Sequence, residues 1–375
     1  MTSDDPTIIN QEPATPVRVR RGTPQTFYDL TLDELTEKLG ESGHPAYRAR
    51  QLYHWAYQQL APDYDTMTVL PKALRDDLAN ELPLTQLEPV QEIQTDDGET
   101  LKLLFRTHDG NHIETVLMFY PDRVTVCVSC QIGCAVGCSF CATGMMGLTR
   151  NLSTGEMVGQ VVAAARRTQE LDRQLTNIVM MGMGEPFQNY DSTMRMARIL
   201  NDPEGMKFGA RRITVSTSGL VPFIDRLAAD PLQVKLAISL HAPTDQQRDT
   251  LVPLNRRWNV QELISACRRY VDTTGRRISF EYCLIRDVND SEKTARELAR
   301  LLKGLLCHVN IIPLNPTPAE PSYERPTEDQ IKRFADIVDD SGIPTSVRYS
   351  RGVDIAAACG QLRIEHEGGT EPATT

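Results

Sequence analysis

Leu32, Leu35 and Leu39 recur at helical spacing behind Thr31 and Glu34, a T-x-x-E capping box, and Gly40 stops the pattern. Pro45 suits the first turn of a second helix, P-A-Y-R-A-R-Q-L-Y-H-W-A-Y, and a third is expected over 71–82. Between 87 and 120 the apolar period shortens to two, and Asp97–Gly98 and Asp109–Gly110 mark hairpin turns. From 124 onward, strands and helices alternate. Strands are expected at 124–129, 177–181, 212–217, 234–240, 277–285 and 309–313, with a short addition near 345–349. Helices are expected at 154–170, 192–200, 221–230, 260–273, 292–302 and 327–339. Six β–α repeats imply parallel strands with right-handed crossovers, and six are too few for a closed eight-stranded barrel. The expectation is an α/β chain: a helical accessory domain over 26–85, a small β-meander linking over 86–123, and a partial (β/α)6 barrel over 124–362. Residues 1–25 and 363–375 lack apolar periodicity and are expected to be disordered tails.

Composition narrows the class. Of the 375 residues, 40% are hydrophobic and 24% charged, as in a soluble globular protein. No run approaches the ~18 apolar residues of a membrane span, and no apolar signal core follows Asp4 and Asp5. The expectation is a cytoplasmic protein whose cysteines stay reduced. A net charge of −10 argues against bulk affinity for nucleic acid. Arginine pairs nevertheless recur at 20–21, 166–167, 211–212, 256–257, 268–269 and 276–277. Taken singly they read as solvated helix faces, and an RNA surface requires several to share one face. In the second helix, Tyr47, Arg48, Arg50, Tyr53, His54, Trp55 and Tyr57 interleave rings with charges, a pattern able to stack bases and neutralise phosphates. The plainer reading makes Leu52, Trp55 and Ala56 a core face.

The densest chemistry lies between Cys127 and Cys141, C-V-S-C-Q-I-G-C-A-V-G-C-S-F-C, which holds five of nine cysteines. Its end is C-x3-C-x2-C: Cys134, Cys138 and Cys141. Three thiolates can hold three irons of a four-iron cluster and leave the fourth open to a substrate's amino and carboxylate groups. Zinc usually takes four protein ligands, and no second C-x2-C or H-x3-H pair follows.

The C-x3-C-x2-C stretch, with M-G-M-G-E-P, S-T-S-G, A-I-S-L-H-A-P and A-A-C-G-Q-L in that order, resembles the RlmN-type branch of the radical S-adenosylmethionine (SAM) superfamily, over roughly 27–362. The resemblance implies a partial radical-SAM barrel that methylates C2 of an adenosine in 23S ribosomal RNA and in transfer RNA. It implies one [4Fe-4S] cluster on Cys134, Cys138 and Cys141. It also implies two SAM per turnover, an external flavodoxin-like electron donor, an RNA-engaging N-terminal domain and a monomer. SAM is expected against Gly184, Glu185, Ser216, Ser239, Leu240, His241 and Asn315, with Glu185 accepting from its cationic amino group. Capping or turn chemistry is the preferred reading of Ser218.

Matching also implies the reaction. Adenine C2 is too poor a nucleophile to take a methyl from SAM by displacement, whereas a thiolate can. Cys359 of A-C-G-Q-L is the expected methyl carrier. A 5′-deoxyadenosyl radical from a second SAM abstracts hydrogen from that methyl, and the carbon radical adds to C2. Loss of the C2 proton and attack by Cys127 then release product and leave a Cys127–Cys359 disulfide for a reductant to reopen. Glu114 of H-I-E-T-V is the candidate general base, although an exposed strand acid is the plain reading of the residue alone. Cys130 is left unassigned, and Cys267, Cys283 and Cys307 are expected to be inert core residues. The nearest alternative is a Cfr-like C8 methyltransferase on the same adenosine. A glycyl-radical activase needs neither Cys127 nor Cys359, and an iron–sulfur sensor needs none of the strand-end motifs.

Overall fold

The computed structural model describes residues 23–362, so the expected tails, and with them Arg18, Arg20 and Arg21, lie outside the described residues apart from 23–25. The N-terminal helices are α1 Leu32–Glu41, α2 Tyr47–Tyr53 and α3 Lys72–Glu81. At the start of α1, Thr31 Oγ1 accepts from the Glu34 N–H while the Glu34 carboxylate accepts from the Thr31 N–H, so the reciprocal box fixes the first turn. The second helix is shorter than its pattern suggests: α2 gives way to a π-helical turn at His54–Gln58. That turn points Tyr53 and Tyr57 inward, where they pack with Phe27 and Tyr28. Tyr53 also donates to Leu30 O at 2.5 Å. The two tyrosines are therefore core, not platforms for bases. Tyr47 stays outside, half exposed, with Arg48 stacked on it.

The strands are β1 Glu88–Gln94, β2 Thr100–Arg106, β3 His112–Phe119, β4 Val124–Cys127, β5 Gln131–Gly133, β6 Leu148–Asn151, β7 Asn177–Met180, β8 Ile213–Thr217, β9 Lys235–Ser239, β10 Ile278–Leu284, β11 Cys307–Pro313 and β12 Thr345–Val347. Among the described residues one ten-stranded sheet runs β1-β2-β3-β4-β7-β8-β9-β10-β11-β12, parallel from β4 to β12. Helices α5 Thr154–Glu170, α6 Tyr190–Asn201, α7 Val221–Ala228, α9 Val260–Thr274, α10 Glu292–Leu302 and α11 Glu328–Asp340 cover its outer face, following α4 Ala142–Met145 and interrupted by α8 Asp245–Leu251. This is a mixed α/β architecture, an open barrel wall of parallel strands, as the resemblance implies.

The segment expected as a linking meander is part of that wall. Strand β3 pairs antiparallel with β4 in the register Val116–Cys127, so β1–β3 extend the sheet and cover an edge that would otherwise present unpaired backbone groups. One hydrophobic core runs from Phe27 and Leu35 through Leu101, Val161 and Val215 to Val338. The helical bundle is fastened to α5 and α6 by polar contacts as well. Asp29 accepts from the Gly155 N–H at 2.5 Å, Arg166 donates to Leu60 O and Ala61 O, and Arg195 to Asp29 O. Among the described residues no helix is long and apolar enough to cross a membrane.

Candidate active site

Strand β4 ends at Cys127, and the chain then makes a small antiparallel hairpin, β5 with β6, that frames the cysteine loop. Gly133 makes the hairpin possible. Its φ is +75°, and a Cβ there would lie 1.8 Å from Gly147 O, a backbone atom that cannot swing away. Gly133→Ala is expected to open the hairpin at a cost of at least about 2 kcal/mol and to lower bound iron severalfold. Iron analysis and the cluster's visible absorbance check this, and full iron loading would contradict it.

Cys134, Cys138 and Cys141 are all half-buried and pack against Val136, Phe140, Cys283 and Leu314. Burial pushes the Cys134 thiol up to about 12, and burial with the neighbouring Cys141 and Cys134 holds Cys138 well above the usual thiol range. Three thiolates can coexist there only with added positive charge, which bound iron supplies. Among the described residues no three His, Cys, Asp or Glu side chains converge as for a single ion. A four-iron cluster takes one thiolate per iron, so its ligands stand further apart than those of one zinc ion, and the donor set fits it.

The loops after β7, β8, β9 and β11 converge beside these cysteines. Gly184, at φ +104°, has no room for a Cβ, which would sit 2.5 Å from Gln131. Glu185 is buried, and its carboxylate braces two loops: Oε1 accepts from the Phe187 N–H, and Oε2 from the N–H and Oγ of Ser218, both at 2.7 Å. Three of its four lone pairs are thus used internally, which leaves one for the expected ammonium group. Ser218, read as turn chemistry, is the other half of that brace. Ser216 and Ser239 place their hydroxyls 3.3 Å apart. Leu240 is fully buried. Asn315 fits the expected cofactor: its Nδ2 donates to Ser350 Oγ and Cys359 O, while Oδ1 is a buried acceptor with no partner among the described residues.

His241 sits at φ +61° with its ring edge-on to Phe140, 4.7 Å between centroids. Its Nδ1 accepts from the Cys283 N–H at 2.9 Å, so the proton is on Nε2. Burial, with Arg248 nearby, lowers its pKa to about 3. The unfolded chain therefore binds a proton below pH 6.5 that the folded chain refuses until about pH 3. Stability is expected to fall through that window, by up to about 1.4 kcal/mol per pH unit from this ring. Urea midpoints at pH 7 and 5 should differ in the wild type and differ less in His241→Gln; equal slopes would contradict the assignment.

Sequence reading missed Arg248, which D-Q-Q-R-D-T-L presents as a solvated helix charge. It is almost fully buried and donates to Ser218 O, Leu240 O and Asn255 Oδ1, clamping the loops after β8 and β9. Gln160 does the same on the other side, bonding Thr115 Oγ1 and both backbone groups of Ser129. Ser129 Oγ in turn donates to Glu114 O and accepts from the Met183 N–H.

The barrel interior is a cavity of about 640 Å³ whose wall includes Cys127, Met181, Glu281 and Cys359. Cys359 arrives from the chain's far end and is fixed locally. The Ala142 N–H, next after Cys141, donates to Gly360 O at 2.8 Å, and Thr143 Oγ1 donates to Leu362 O at 2.6 Å. Cys359 is an exposed residue where it lines the cavity. Burial, then Glu281, pushes its thiol up to about 11. Burial raises Cys127 further, with Cys359 the next cause.

Glu114 is buried on the β3 face that carries Val116, and Lys102 Nζ lies 3.0 Å from its carboxylate. Cys130 joins the main core, as do Cys267 and Cys307. Cys283 instead packs against the cysteine loop, because β10 alternation turns it to the barrel interior. The arginine pairs divide as well. Arg167 binds Glu92 and Arg269 binds Asp225, whereas Arg211, Arg276 and Arg277 share the cavity rim with Arg123, Arg348 and Arg351.

Comparisons with known proteins agree with this geometry. Residues 128–299 match the radical SAM superfamily, and 26–83 match the ribosomal RNA large subunit methyltransferase N-terminal domain. A probable dual-specificity RNA methyltransferase RlmN from Chloroflexus aurantiacus is 50% identical over 91% of this chain and 93% of its own. The corresponding protein of Symbiobacterium thermophilum is 46% identical over 90% and 91%. A crystal structure of a radical SAM methyltransferase from Sphaerobacter thermophilus is 74% identical, with TM-score 0.90 over 91% of this chain and 99% of that one.

Proposed function

The chain belongs to the RlmN family of radical SAM RNA methyltransferases, and from that membership we propose that it methylates C2 of an adenosine in 23S rRNA and in transfer RNA, with Cys359 carrying the methyl. The observation that carries this reading is the fastening of the Cys359 loop to Ala142 and Thr143, directly behind the cysteine triad. The cluster and SAM, bound by Cys134, Cys138 and Cys141 and by the strand-end loops, supply the methyl group and the hydrogen-abstracting radical.

The chain's residues do the rest. Cys359 loses its proton and forms a carbon–sulfur bond to the methyl as that carbon's bond to the donor's sulfonium sulfur breaks, which leaves a neutral thioether. That methyl, short of one hydrogen, bonds to adenine C2. A base removes the C2 proton, and the adduct's unpaired electron is given up, which the cluster would accept; Glu114, held near β4 and Cys127, is assigned the proton. The Cys127 thiolate attacks the Cys359 sulfur, the carbon–sulfur bond breaks with its electron pair going to the carbon on the base, and that carbon takes up one proton to complete the methyl. Two electrons from a reductant reopen the disulfide. The apolar shell of Val116, Met183, Ala357 and Leu362 around Cys127 keeps bulk water from these steps. The helical bundle's outward Tyr47, Arg48 and Arg50, together with the cavity rim, supply RNA contacts despite the net charge of −10.

Reconstituted protein, incubated with SAM, a reductant and unmodified 23S rRNA fragments or tRNA, is expected to give 2-methyladenosine by mass spectrometry. Formation of 8-methyladenosine, or of no methylated base, would overturn the reading.

A further inference from the structure

The cavity wall carries charges that the mechanism leaves unused. Glu281, on β10, is 5% exposed and makes no ion pair among the described residues; Arg348, on the same cavity wall, favours its charged form without closing a salt bridge. Its Oε1 accepts from Asn310 Nδ2 at 2.9 Å, and Asn310 Oδ1 accepts from Ser346 Oγ at 2.8 Å. That relay turns the amide's donor end toward the carboxylate and fixes it as an acceptor facing the cavity. A buried carboxylate is costly unless something pairs with it, and the cavity is where a partner can arrive.

The register places the other charges. Glu281 stands beside Ser239 and Asn310, midway up the barrel. Two residues below, Ser279 pairs with Ala237; two further back along each chain segment come Arg277, just before β10, and Lys235, the first residue of β9, at the strands' entering end. Both line the cavity, and neither has a side-chain hydrogen bond or ion pair among the described residues. Thus an oriented acceptor lies deep, near Cys359, and two free cations lie at the mouth. A nucleotide inserted base-first presents amino hydrogens inward and phosphate outward, matching that order.

Resting on the function proposed above, we propose that Glu281 selects the target base by accepting the N6 amino hydrogens of adenine, while Lys235 and Arg277 hold the phosphates of the inserted nucleotide. Glu281 is thereby a specificity residue that touches substrate. In adenine N6 and C2 flank N1 on one edge, so an acceptor beside Cys359 brings the edge that carries C2 toward the sulfur.

The test compares an RNA fragment carrying the target adenosine with one carrying purine riboside there, which lacks only the amino group. With the full-length reconstituted protein, kcat/KM is expected to fall about 10- to 100-fold on the analogue, the size of a lost hydrogen bond to a charged group. In Glu281→Ala the two RNAs should react within about threefold of each other, and Glu281→Gln, which keeps one acceptor oxygen, should lie between. Lys235→Ala and Arg277→Ala should raise KM, most at low salt and less as salt rises, with kcat nearly unchanged. A wild type that methylates both RNAs equally overturns the inference, and so does a Glu281→Ala variant with undiminished discrimination. The wild-type comparison decides even if a variant fails to fold. A wild type that methylates neither RNA shows instead that the underlying function is wrong.

Discussion

A Cys359→Ala variant is expected to produce no methylated RNA and no protein-bound methyl group. The loss should exceed about 10⁴-fold, because removing a covalent nucleophile leaves only binding and positioning. Folding should survive. The loop is held by backbone atoms of Cys359, Gly360 and Leu362 and by the Gln361 side chain bonding Pro316 O, none of which involves the sulfur. SAM cleavage in the absence of RNA should also survive, since Cys134, Cys138 and Cys141 are untouched. Retained RNA methylation would remove the covalent step, and loss of iron would reduce Cys359 to a structural part of the cluster loop.

The second large effect is expected at Cys127. Once the methyl carbon has joined Cys359 sulfur to adenine C2, the proposed exit is attack by the neighbouring thiolate. Cys127→Ala should therefore trap RNA on the protein, visible as a denaturation-resistant band and a mass increase of the Cys359 peptide. The substitution is small and sits among Val116, Met183, Ala357 and Leu362, so the packing loss is on the order of 1 kcal/mol. A variant that turns over normally with no adduct would assign release to another group.

Much of this molecule was legible because local chemistry and global fold agree. Helices 154–170 and 292–302 appear with the bounds that Ser153, Glu156 and Ser291 dictate as caps. The parallel strands lie where apolar runs meet glycine- and serine-rich turns. What escaped were features created by tertiary contact. The hairpin of β5 and β6 joins residues from Gln131 with Asn151 to Gly133 with Leu148 through glycine-permitted backbone, and no apolar alternation announces it. Arg248 reads as surface because its helix is polar, yet three loops offer it oxygen atoms at once. Tyr53 and Tyr57 read as stacking platforms until the π-helical turn rotates them inward. Glu185 reads as a ligand acceptor, and its bracing of Ser218 and Phe187 is set by tertiary contact that the sequence does not show. The proximity of residues 127 and 359 depends on the C-terminal segment folding back across the barrel, a contact that no local pattern encodes.

The most direct measurement follows the label. Protein whose Cys359 has been loaded from ¹³C-methyl SAM is freed of small molecules, then mixed with unmethylated RNA, reductant and unlabelled SAM for one turnover. The account predicts that the first methyl group on the adenine is ¹³C and that Cys359 loses its label in equal amount. An unlabelled RNA methyl, with the ¹³C still on Cys359, would contradict it.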